Sequence, residues 1–357
     1  MSRTPIVSLF SLAIAISTAG ALINGQKLDA QSPTTATSGA SATAWVPPGT
    51  KGSPIDGPTF HAQVLLDLAG FSSGVIDGRK GSNIERAIRG FQESRDLPKT
   101  GKLDAATKQA LMADGRPSTI MVTLSPEQVG GPFVYPFPKK PEDQAKLPSM
   151  GYRNMLEKVA EAYHTTPDTI VALNGGDKLI GPGQTLRLPN VVPKAASYND
   201  HGKTDVDPWF KLLNVDTSTP KGDHVVVDKS EGLLKVMDKE DRLVAQFPVT
   251  TGSNHDPLPL GTWKATTYAY LPPFHYQPDL FWDVDDSKTE QKLKPGPNGP
   301  VGVAWLDLTK EHYGIHGTPE PQTIGKTQSH GCIRMTNWDV LRLSQIMTPG
   351  FKAVFQA

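Results

Sequence analysis

The sequence has little cysteine and no net charge. Cys332 is the one cysteine among 357 residues, so the chain cannot form an internal disulfide. Lysine plus arginine and aspartate plus glutamate each total 36, so no overall field favours nucleic acid or an anionic membrane. The length exceeds that at which a single core usually stops growing, and two or three compact domains are therefore expected.

The N-terminus also lacks an apolar run long enough to span a membrane. Arg3 precedes an apolar stretch from Ile6 to Ile16, and Ala19-Gly20-Ala21 offers small residues to a signal peptidase. We predict a signal peptide over residues 1–21, with cleavage after Ala30 as an alternative, and export to the periplasm or cell wall. An apolar N-terminal helix of a cytosolic protein is the competing interpretation. A lone thiol in an oxidising compartment is a liability unless it is buried or used.

A flexible linker and a small helical domain are predicted next. Residues 22–57 are rich in Ser, Thr, Ala, Gly and Pro and have little to bury, which predicts a flexible linker. Within residues 58–115, helical spacing predicts helices from Phe60 to Leu68, from Ile84 to about Arg95, and from the N-cap candidate Asp104. This region is predicted to be a small all-α three-helix bundle.

Residues in the helices and turns of this bundle resemble those of the peptidoglycan-binding domain found at the ends of many wall hydrolases. The matching positions are Gln63, Leu66, Gly70-Phe71, Ile76-Asp77-Gly78, Gly81, Ala87, Phe91-Gln92, Leu97, Thr100-Gly101, Leu103, Thr107 and Leu111. The resemblance implies that the domain contacts wall glycan or stem peptide. Alternatively, these residues only build a helical core and its turns.

A second small unit follows a Pro-rich stretch. Residues 116–148 are predicted to be a linker, and residues 149–191 a small α+β unit. The unit is indicated by helical spacing of Leu156, Val159, Ala160 and Tyr163, by a helix from Pro167 to Leu173, and by a turn into a strand over Gly181 to Pro189. Leu173-Asn174 and Pro182-Gly183-Gln184 resemble the rear part of a LysM-type glycan-binding module. The opening strand of such a module is not recognisable, so a spacer domain is the alternative.

The C-terminal third is predicted to be rich in β-structure. Residues 192–220 are predicted to be a linker and residues 221–357 a mainly-β sandwich or partly closed barrel. Short apolar or alternating runs predict strands at His224 to Val227, Leu233 to Met237, Leu243 to Val249, Trp263 to Tyr270, Val301 to Leu306, Tyr313 to His316 and Phe351 to Phe355. A helix is predicted from Asn337, as its N-cap, to Met347.

Two short motifs near the C-terminus carry the chemistry. Gly314-Ile315-His316-Gly317-Thr318 is followed, after a loop, by Ser329-His330-Gly331-Cys332-Ile333-Arg334-Met335. This pattern resembles the signature of L,D-transpeptidases of the YkuD type, and the similarity extends over roughly residues 222–357. The resemblance implies that Cys332 is a thiol nucleophile, that His316 is its base, and that the carbonyl of Gly317 orients the imidazole. Only a thiolate attacks a carbonyl well, and a free thiol with a pKa of about 8.5 needs such a base.

The resemblance also assigns roles around the nucleophile. Backbone N–H groups near His330 and Gly331 would form an oxyanion hole, and Gly331 would let backbone approach the substrate closely. Arg334 would bind a substrate carboxylate with its planar guanidinium. Ser329 would tie the loop together, and His330 is interpreted as a packing residue. Asn337 is interpreted as a helix cap rather than a catalytic group.

The implied reaction is peptidoglycan transpeptidation. Cys332 would attack the carbonyl before the terminal D-Ala of a tetrapeptide stem, release D-Ala and form a thioester, and a carbapenem should acylate the same thiol. The acceptor stays open between a diaminopimelate side chain, a lipoprotein Lys and water, the last giving a carboxypeptidase. The implied partners are stem peptides, glycan and a wall-anchored lipoprotein. Neither a cofactor nor a metal is implied.

The sequence also allows three other interpretations. Cys332 could be merely buried. A zinc site could be built from His312, His316, His330 and Cys332, although the usual glutamate is absent. The chain could also be a non-catalytic wall-binding protein. The aromatic and proline-rich segment Tyr268 to Asp283 is interpreted as a hairpin lid over the substrate channel, or else as a loop packed onto the barrel.

Overall fold

A computed structural model describes residues 57–193, 207–215, 220–280 and 288–357, together with residue 55 and the backbone of residues 26–27. The predicted signal peptide and nearly all of the predicted linker 22–57 lie outside these residues. No helix in the described part of the chain is both long and apolar enough to cross a membrane.

The first region is helical, as predicted. Its elements are β1 (Gln26–Lys27), α1 (Gly57–Leu68), α2 (Ser82–Ser94) and α3 (Ala105–Leu111). Phe71 and Phe91 meet edge to face in the core, with ring centroids 5.8 Å apart. Asp104 caps α3 as predicted, since its carboxylate accepts a hydrogen bond from the backbone N–H of Thr107 at 2.9 Å. Leu243, from the C-terminal region, belongs to the same core.

The second region is larger than the sequence predicted. Its elements are β2 (Thr119–Thr123), α4 (Pro126–Val129), α5 (Pro141–Gln144), α6 (Met155–Ala162), α7 (Pro167–Asn174), β3 (Leu179–Ile180) and β4 (Thr185–Pro189). β2 pairs antiparallel with β4, and β1 with β3. The prediction of a linker over residues 116–148 is therefore wrong for its first part. The partner of β2 lies about sixty residues away, and Leu124 and Val129 are buried by contacts that no local pattern reveals.

The predicted linker 192–220 also contains structure. Helix α8 (Asp207–Leu212) places Phe210 in the core, and Leu213 and Val215 are fully buried behind it. This helix has six residues, of which Trp209, Phe210 and Leu212 are large and apolar. So short a pattern does not predict a helix. Residues 194–206 and 216–219 of that predicted linker lie outside the described residues.

The C-terminal region contains one mixed sheet. Its strands are β5 (His224–Asp228), β6 (Leu233–Met237), β7 (Leu243–Pro248), β8 (Gly261–Tyr270), β11 (Ala304–Leu308), β12 (Gly314–His316), β13 (Ile333–Arg334) and β14 (Lys352–Gln356), and β9 (Phe274–Tyr276) and β10 (Gln291–Leu293) form a separate hairpin. The eight strands lie in the order β13-β12-β11-β8-β14-β5-β6-β7. Only the β12–β13 and β14–β5 pairs are parallel.

The sheet curls until its two edges meet. The first residues of β8 pair with β14, and its later residues pair with β11, so this long strand joins the two halves. Thr250, just after β7, exchanges backbone hydrogen bonds with Arg334 of β13 at 3.0 and 2.9 Å. The arrangement is thus a curled, partly closed sheet rather than two packed sheets.

Helix α9 (Asn337–Ile346) fills the concave side of the core. Trp338, Val340 and Leu343 are fully buried against the sheet. The N-cap is Thr336, whose hydroxyl accepts from the N–H of Asp339, so the prediction that Asn337 caps this helix is wrong. Thr336 and Asn337 are both suited to cap a helix. The side chain of Asn337 is instead hydrogen-bonded to Val303 and Glu161, far away in the sequence.

Buried polar contacts join the helical regions to α9. Arg342 donates to the carboxylate of Asp67 at 3.0 Å, and His164 contacts the same carboxylate at 3.0 Å. His164 also donates to the carbonyl of Leu213 at 2.6 Å and stacks on Trp338, with ring centroids 4.9 Å apart. We call Asp67, His164, Arg342 and Asp339 the junction cluster. Since it draws on three parts of the chain, the N-terminal regions are packed against the sheet rather than tethered to it.

Candidate active site

Two adjacent parallel strands bring the predicted site residues together. Ile315 pairs with Ile333, and His316 with Arg334. Because side chains alternate along a strand, the two isoleucines point into the core, where both are fully buried. His316, Arg334 and Cys332 consequently share the opposite face. The predicted base, nucleophile and carboxylate ligand thus lie along one cleft.

The imidazole of His316 is held from two directions. Its Nδ1 donates to the carbonyl of Gly317 at 2.7 Å, and because a carbonyl can only accept, Nδ1 carries the hydrogen. The ring stacks against Trp305, its cross-strand neighbour, with ring centroids 5.3 Å apart and an interplanar angle of 19°. Nε2 is therefore left with a lone pair that can accept a proton.

The protonation state of the pair follows from its burial. Burial lowers the pKa of His316 to about 3, the charge of Arg334 acts in the same direction, and the bond to Gly317 opposes both. Burial raises the pKa of the Cys332 thiol, while a backbone hydrogen bond from Gly314 and the charge of Arg334 oppose the increase. At neutral pH the cleft thus holds a neutral thiol and a neutral imidazole, so a nucleophilic thiolate would form only by proton transfer during attack.

The loop before the nucleophile is tied down by hydrogen bonds. The hydroxyl of Ser329 donates to the carbonyl of Cys332 at 2.6 Å, and the backbone N–H of Ser329 donates to Thr251 at 3.0 Å. Gly331 has φ of 99°, and a Cβ there would lie 2.6 Å from the ring of Tyr313. A side chain at position 331 would therefore displace the loop that carries the thiol.

Cys332 and Arg334, which both line the cleft, have few hydrogen-bond partners within the described chain. The thiol of Cys332 donates to the carbonyl of His312 at 3.7 Å, which is a weak contact. Nε of Arg334 is buried and, in the part of the chain that the structure describes, has no hydrogen-bond partner. Burial lowers the pKa of Arg334, yet a guanidinium keeps its proton in proteins. His330 is half-buried at the same cleft.

The cleft has a volume of about 630 Å³ and a largely aromatic wall. Phe274, His275 and Tyr276 of the β9–β10 hairpin line it. The role of Tyr268 to Asp283 as a lid stays a prediction. Residues 281–287, which include Phe281 and Trp282, lie outside the described residues. Pro141 and Gln144 of α5, within the stretch predicted as a linker, form part of the rim.

The alternative zinc site is not assembled. Among the residues that the structure describes, no group of three or more His, Cys, Asp and Glu side chains is arranged to hold a metal ion. Nδ1 of His316 is already used by the carbonyl of Gly317, and Cys332 faces a carbonyl rather than a ring nitrogen.

Sequence reasoning missed three residues that shape the site. Trp305 covers the ring of His316, and Tyr313 packs against Gly331. Asn337 lies fully buried behind Gly317. Strand alternation could have placed Trp305 opposite His316, whereas nothing in the local sequence predicts the position of Asn337.

Two family models match parts of the chain. Residues 222–355 match the YkuD family, described as "L,D-transpeptidase catalytic domain". Residues 60–111 match PG_binding_1, described as "Putative peptidoglycan binding domain".

Similar proteins and structures carry the same name. "Putative L,D-transpeptidase YkuD" of Bacillus licheniformis is 29% identical over 199 residues, which cover 55% of this chain and 89% of that protein. Its namesake from Bacillus subtilis is 57% identical over 54 residues, which cover 15% of this chain and 33% of that protein. An L,D-transpeptidase structure from Mycobacterium smegmatis is 19% identical with a TM-score of 0.32, and the match covers 38% of this chain and 59% of that one.

The matched residues include both motifs and every candidate site residue. Residues 222–355 therefore match a YkuD-type L,D-transpeptidase catalytic domain, and residues 60–111, which precede it, match a peptidoglycan binding domain.

Proposed function

We propose that this chain is a peptidoglycan L,D-transpeptidase in which Cys332 is the nucleophile and His316 the general base. The observation that carries the proposal is the shared face of β12 and β13, on which Cys332, His316 and Arg334 line one cleft. The two family matches support peptidoglycan as the substrate. They also support an exported, wall-associated location, which agrees with the predicted signal peptide.

Substrate binding begins with the unpaired guanidinium. Arg334 binds the carboxylate of the stem's terminal D-Ala, which supplies the acceptor that its buried Nε lacks among the described residues. The aromatic wall of the cleft contacts the apolar parts of the stem. The scissile carbonyl then lies next to the thiol, and its oxygen points to the backbone N–H groups around Gly331 and Cys332.

In acylation, one proton is transferred through His316, and a C–S bond replaces the scissile C–N bond. The thiol hydrogen turns from the carbonyl of His312 to Nε2 of His316, and the sulfur adds to the carbonyl carbon. His316 then gives that proton to the nitrogen of the leaving D-Ala as the C–N bond breaks. The product is a thioester on Cys332 plus free D-Ala.

Deacylation repeats these steps with an amine. The acceptor amine transfers a proton to His316 and attacks the thioester, and the thiol leaves protonated. A diaminopimelate side chain as acceptor gives a crosslink, and a lipoprotein Lys gives an anchored lipoprotein. Water instead gives an L,D-carboxypeptidase, the second candidate function. Muropeptide mass spectrometry of a deletion strain distinguishes these acceptors.

The decisive experiment is Cys332→Ala in the full chain. The variant should lose D-Ala release from a purified tetrapeptide muropeptide by at least about 1,000-fold, because no other thiol is present. It should still sediment with purified sacculi, since the proposed wall contacts lie at residues 60–111. D-Ala release at the wild-type rate would overturn the assignment of the nucleophile. A wild-type chain that sediments with sacculi but never releases D-Ala would favour the non-catalytic alternative.

A further inference from the structure

One carboxylate from the second helical region reaches into the catalytic domain. Glu161, on α6, is buried, and its two carboxylate oxygens accept different hydrogen bonds. The hydroxyl of Tyr152 donates to Oε2 at 2.5 Å, and the side-chain amide of Asn337 donates to Oε1 at 2.7 Å. Glu161 and Asn337 are 176 positions apart in the sequence, so this contact joins two separately recognised parts of the chain.

The amide of Asn337 is wedged between two glycines of the catalytic domain. Its Oδ1 accepts from the backbone N–H of Val303 at 3.1 Å. A Cβ on Gly302 or on Gly317 would lie 2.0 or 2.1 Å from that oxygen, so both backbones approach it closely only because they are glycines. The amide therefore fixes the separation between the loop at Gly302 and the peptide at Gly317.

That peptide is the one that orients the base. The carbonyl of Gly317 accepts the Nδ1 hydrogen of His316, and the N–H of Gly317 donates to Ala304 at 3.2 Å. The backbone carbonyl of His316 also accepts from the N–H of Met335 at 2.8 Å, just after Arg334. A shift of the Gly317 peptide would therefore turn the imidazole away from the thiol.

We infer that Glu161 is a positioning residue for His316, acting through Asn337 and the Gly317 peptide. The side-chain amide of Asn337 must present its oxygen to Val303 and its nitrogen to Glu161, and the carboxylate sets this orientation. This inference rests on the proposed function of His316. It gives α6 a role in catalysis that does not depend on binding of wall glycan.

Neighbouring contacts of α6 support the same loops. Glu157 accepts from the side-chain amide of Asn298 at 3.2 Å, and Arg153 pairs with Glu320 at 3.1 Å, just beyond Gly317 and Thr318. Pro297 also accepts from the amide of Asn337 at 3.2 Å. Helix α6 and Arg153, two residues before it, together contact both loops that flank the base.

A matched pair of variants tests the role of Glu161. Glu161→Met keeps the length and fits a buried site, but it provides no acceptor for Asn337. Glu161→Gln keeps one acceptor oxygen for Asn337 and can donate to Tyr152. We expect Glu161→Met to lower kcat for D-Ala release at least 10-fold with KM changed less than about twofold. Glu161→Gln should stay within about threefold of wild type.

A second readout does not require the natural substrate. The rate at which iodoacetamide alkylates Cys332, followed by intact-protein mass, depends on proton removal by His316. It should fall at least about fivefold in Glu161→Met and recover in Glu161→Gln. If wild type releases no D-Ala while alkylation still separates the two variants, the proposed function fails but the role of Glu161 stands.

The control is Asp168→Asn, which removes an exposed carboxylate from α7 of the same region. It should match wild type in both assays. Variants are compared at equal folded fraction, measured by circular dichroism and thermal unfolding. The inference is overturned if folded Glu161→Met keeps the wild-type kcat and alkylation rate, or if Glu161→Gln is as impaired as Glu161→Met.

Discussion

The junction cluster and the cleft both hold buried or half-buried charges, but they satisfy them differently. In the junction cluster, Arg342 and His164 both contact the carboxylate of Asp67, and Ser72 donates to Asp339 at 2.8 Å. In the cleft, Nε of Arg334 has no partner among the described residues, and Cys332 contacts only backbone groups, those of Gly314 and His312. Oδ1 of Asp339 accepts no hydrogen bond in the described residues, but it lies 3.7 Å from Arg342. The junction cluster thus pairs its charges within the chain, whereas Nε of Arg334 faces the side on which a ligand is expected.

The largest effect on stability is expected in the junction cluster. Asp67→Ala leaves Arg342 and His164 buried without their shared acceptor, which should reduce the free energy of unfolding by about 3–5 kcal/mol. Urea denaturation of the full chain measures this loss. Adding Arg342→Met should restore part of it, because the buried cation that has lost its contact with Asp67 is then removed. A loss below about 1 kcal/mol for Asp67→Ala would contradict the comparison.

A substitution in the cleft should reduce activity strongly and stability little. Arg334→Ala should lower kcat/KM for D-Ala release about 100-fold, or about 2.7 kcal/mol, through the lost contact with the substrate carboxylate. The free energy of unfolding should change by less than about 1 kcal/mol, since no internal partner is lost among the described residues. A variant as destabilised as Asp67→Ala would show that Arg334 supports the fold instead.

The pH dependence of stability gives a further test, because buried Glu161 and buried Asp67 have pKa values shifted in opposite directions. Burial raises the pKa of Glu161 from 4.5 to about 7, against opposing hydrogen bonds from Tyr152 and Asn337. The folded state thus binds this proton more tightly than the unfolded chain, so the contribution of Glu161 to stability is complete below about pH 4.5 and is lost as the pH rises through about 7.

Glu161→Gln removes this titration. The decrease in the free energy of unfolding between pH 5 and pH 8 should shrink by roughly 1–2 kcal/mol, as measured by denaturation at both values. Asp339, whose pKa burial raises to about 6, contributes in the same direction. Arg342 and His164 overcome burial and lower the pKa of Asp67, so its contribution is lost only as the pH falls below about 4. An unchanged slope in Glu161→Gln would contradict the prediction.

The smallest effect is expected for an exposed ion pair. Arg242 donates to Asp238 at 2.8 Å, but 74% of the arginine side chain is exposed. Arg242→Gln should leave both the unfolding midpoint and D-Ala release unchanged, because solvent screens such pairs. A clear fall in the midpoint would mean that pairing alone, rather than burial, explains the strength of the junction cluster.

Much of the fold could be predicted from local patterns. The strand β6 was predicted with its bounds, and α2 and α9 within two residues, because periodicity and turn residues are local signals. The cap of α9 was misassigned because Thr336 and Asn337 are adjacent and equally suited to the role. The linker over residues 116–148 was wrong because β2 is stabilised by a distant strand, β4.

The sequence by itself supplied the candidate groups: one thiol, the histidine-glycine pairs at 316–317 and 330–331, and an arginine two positions after the cysteine. These identities restrict the reaction because few side chains can act as nucleophile, base and carboxylate ligand. Tertiary structure alone decided that Trp305 covers His316 and that Glu161 reaches Asn337. Such contacts depend on how a curled sheet and a distant helix pack, and packing is set by the whole chain rather than by any segment of it.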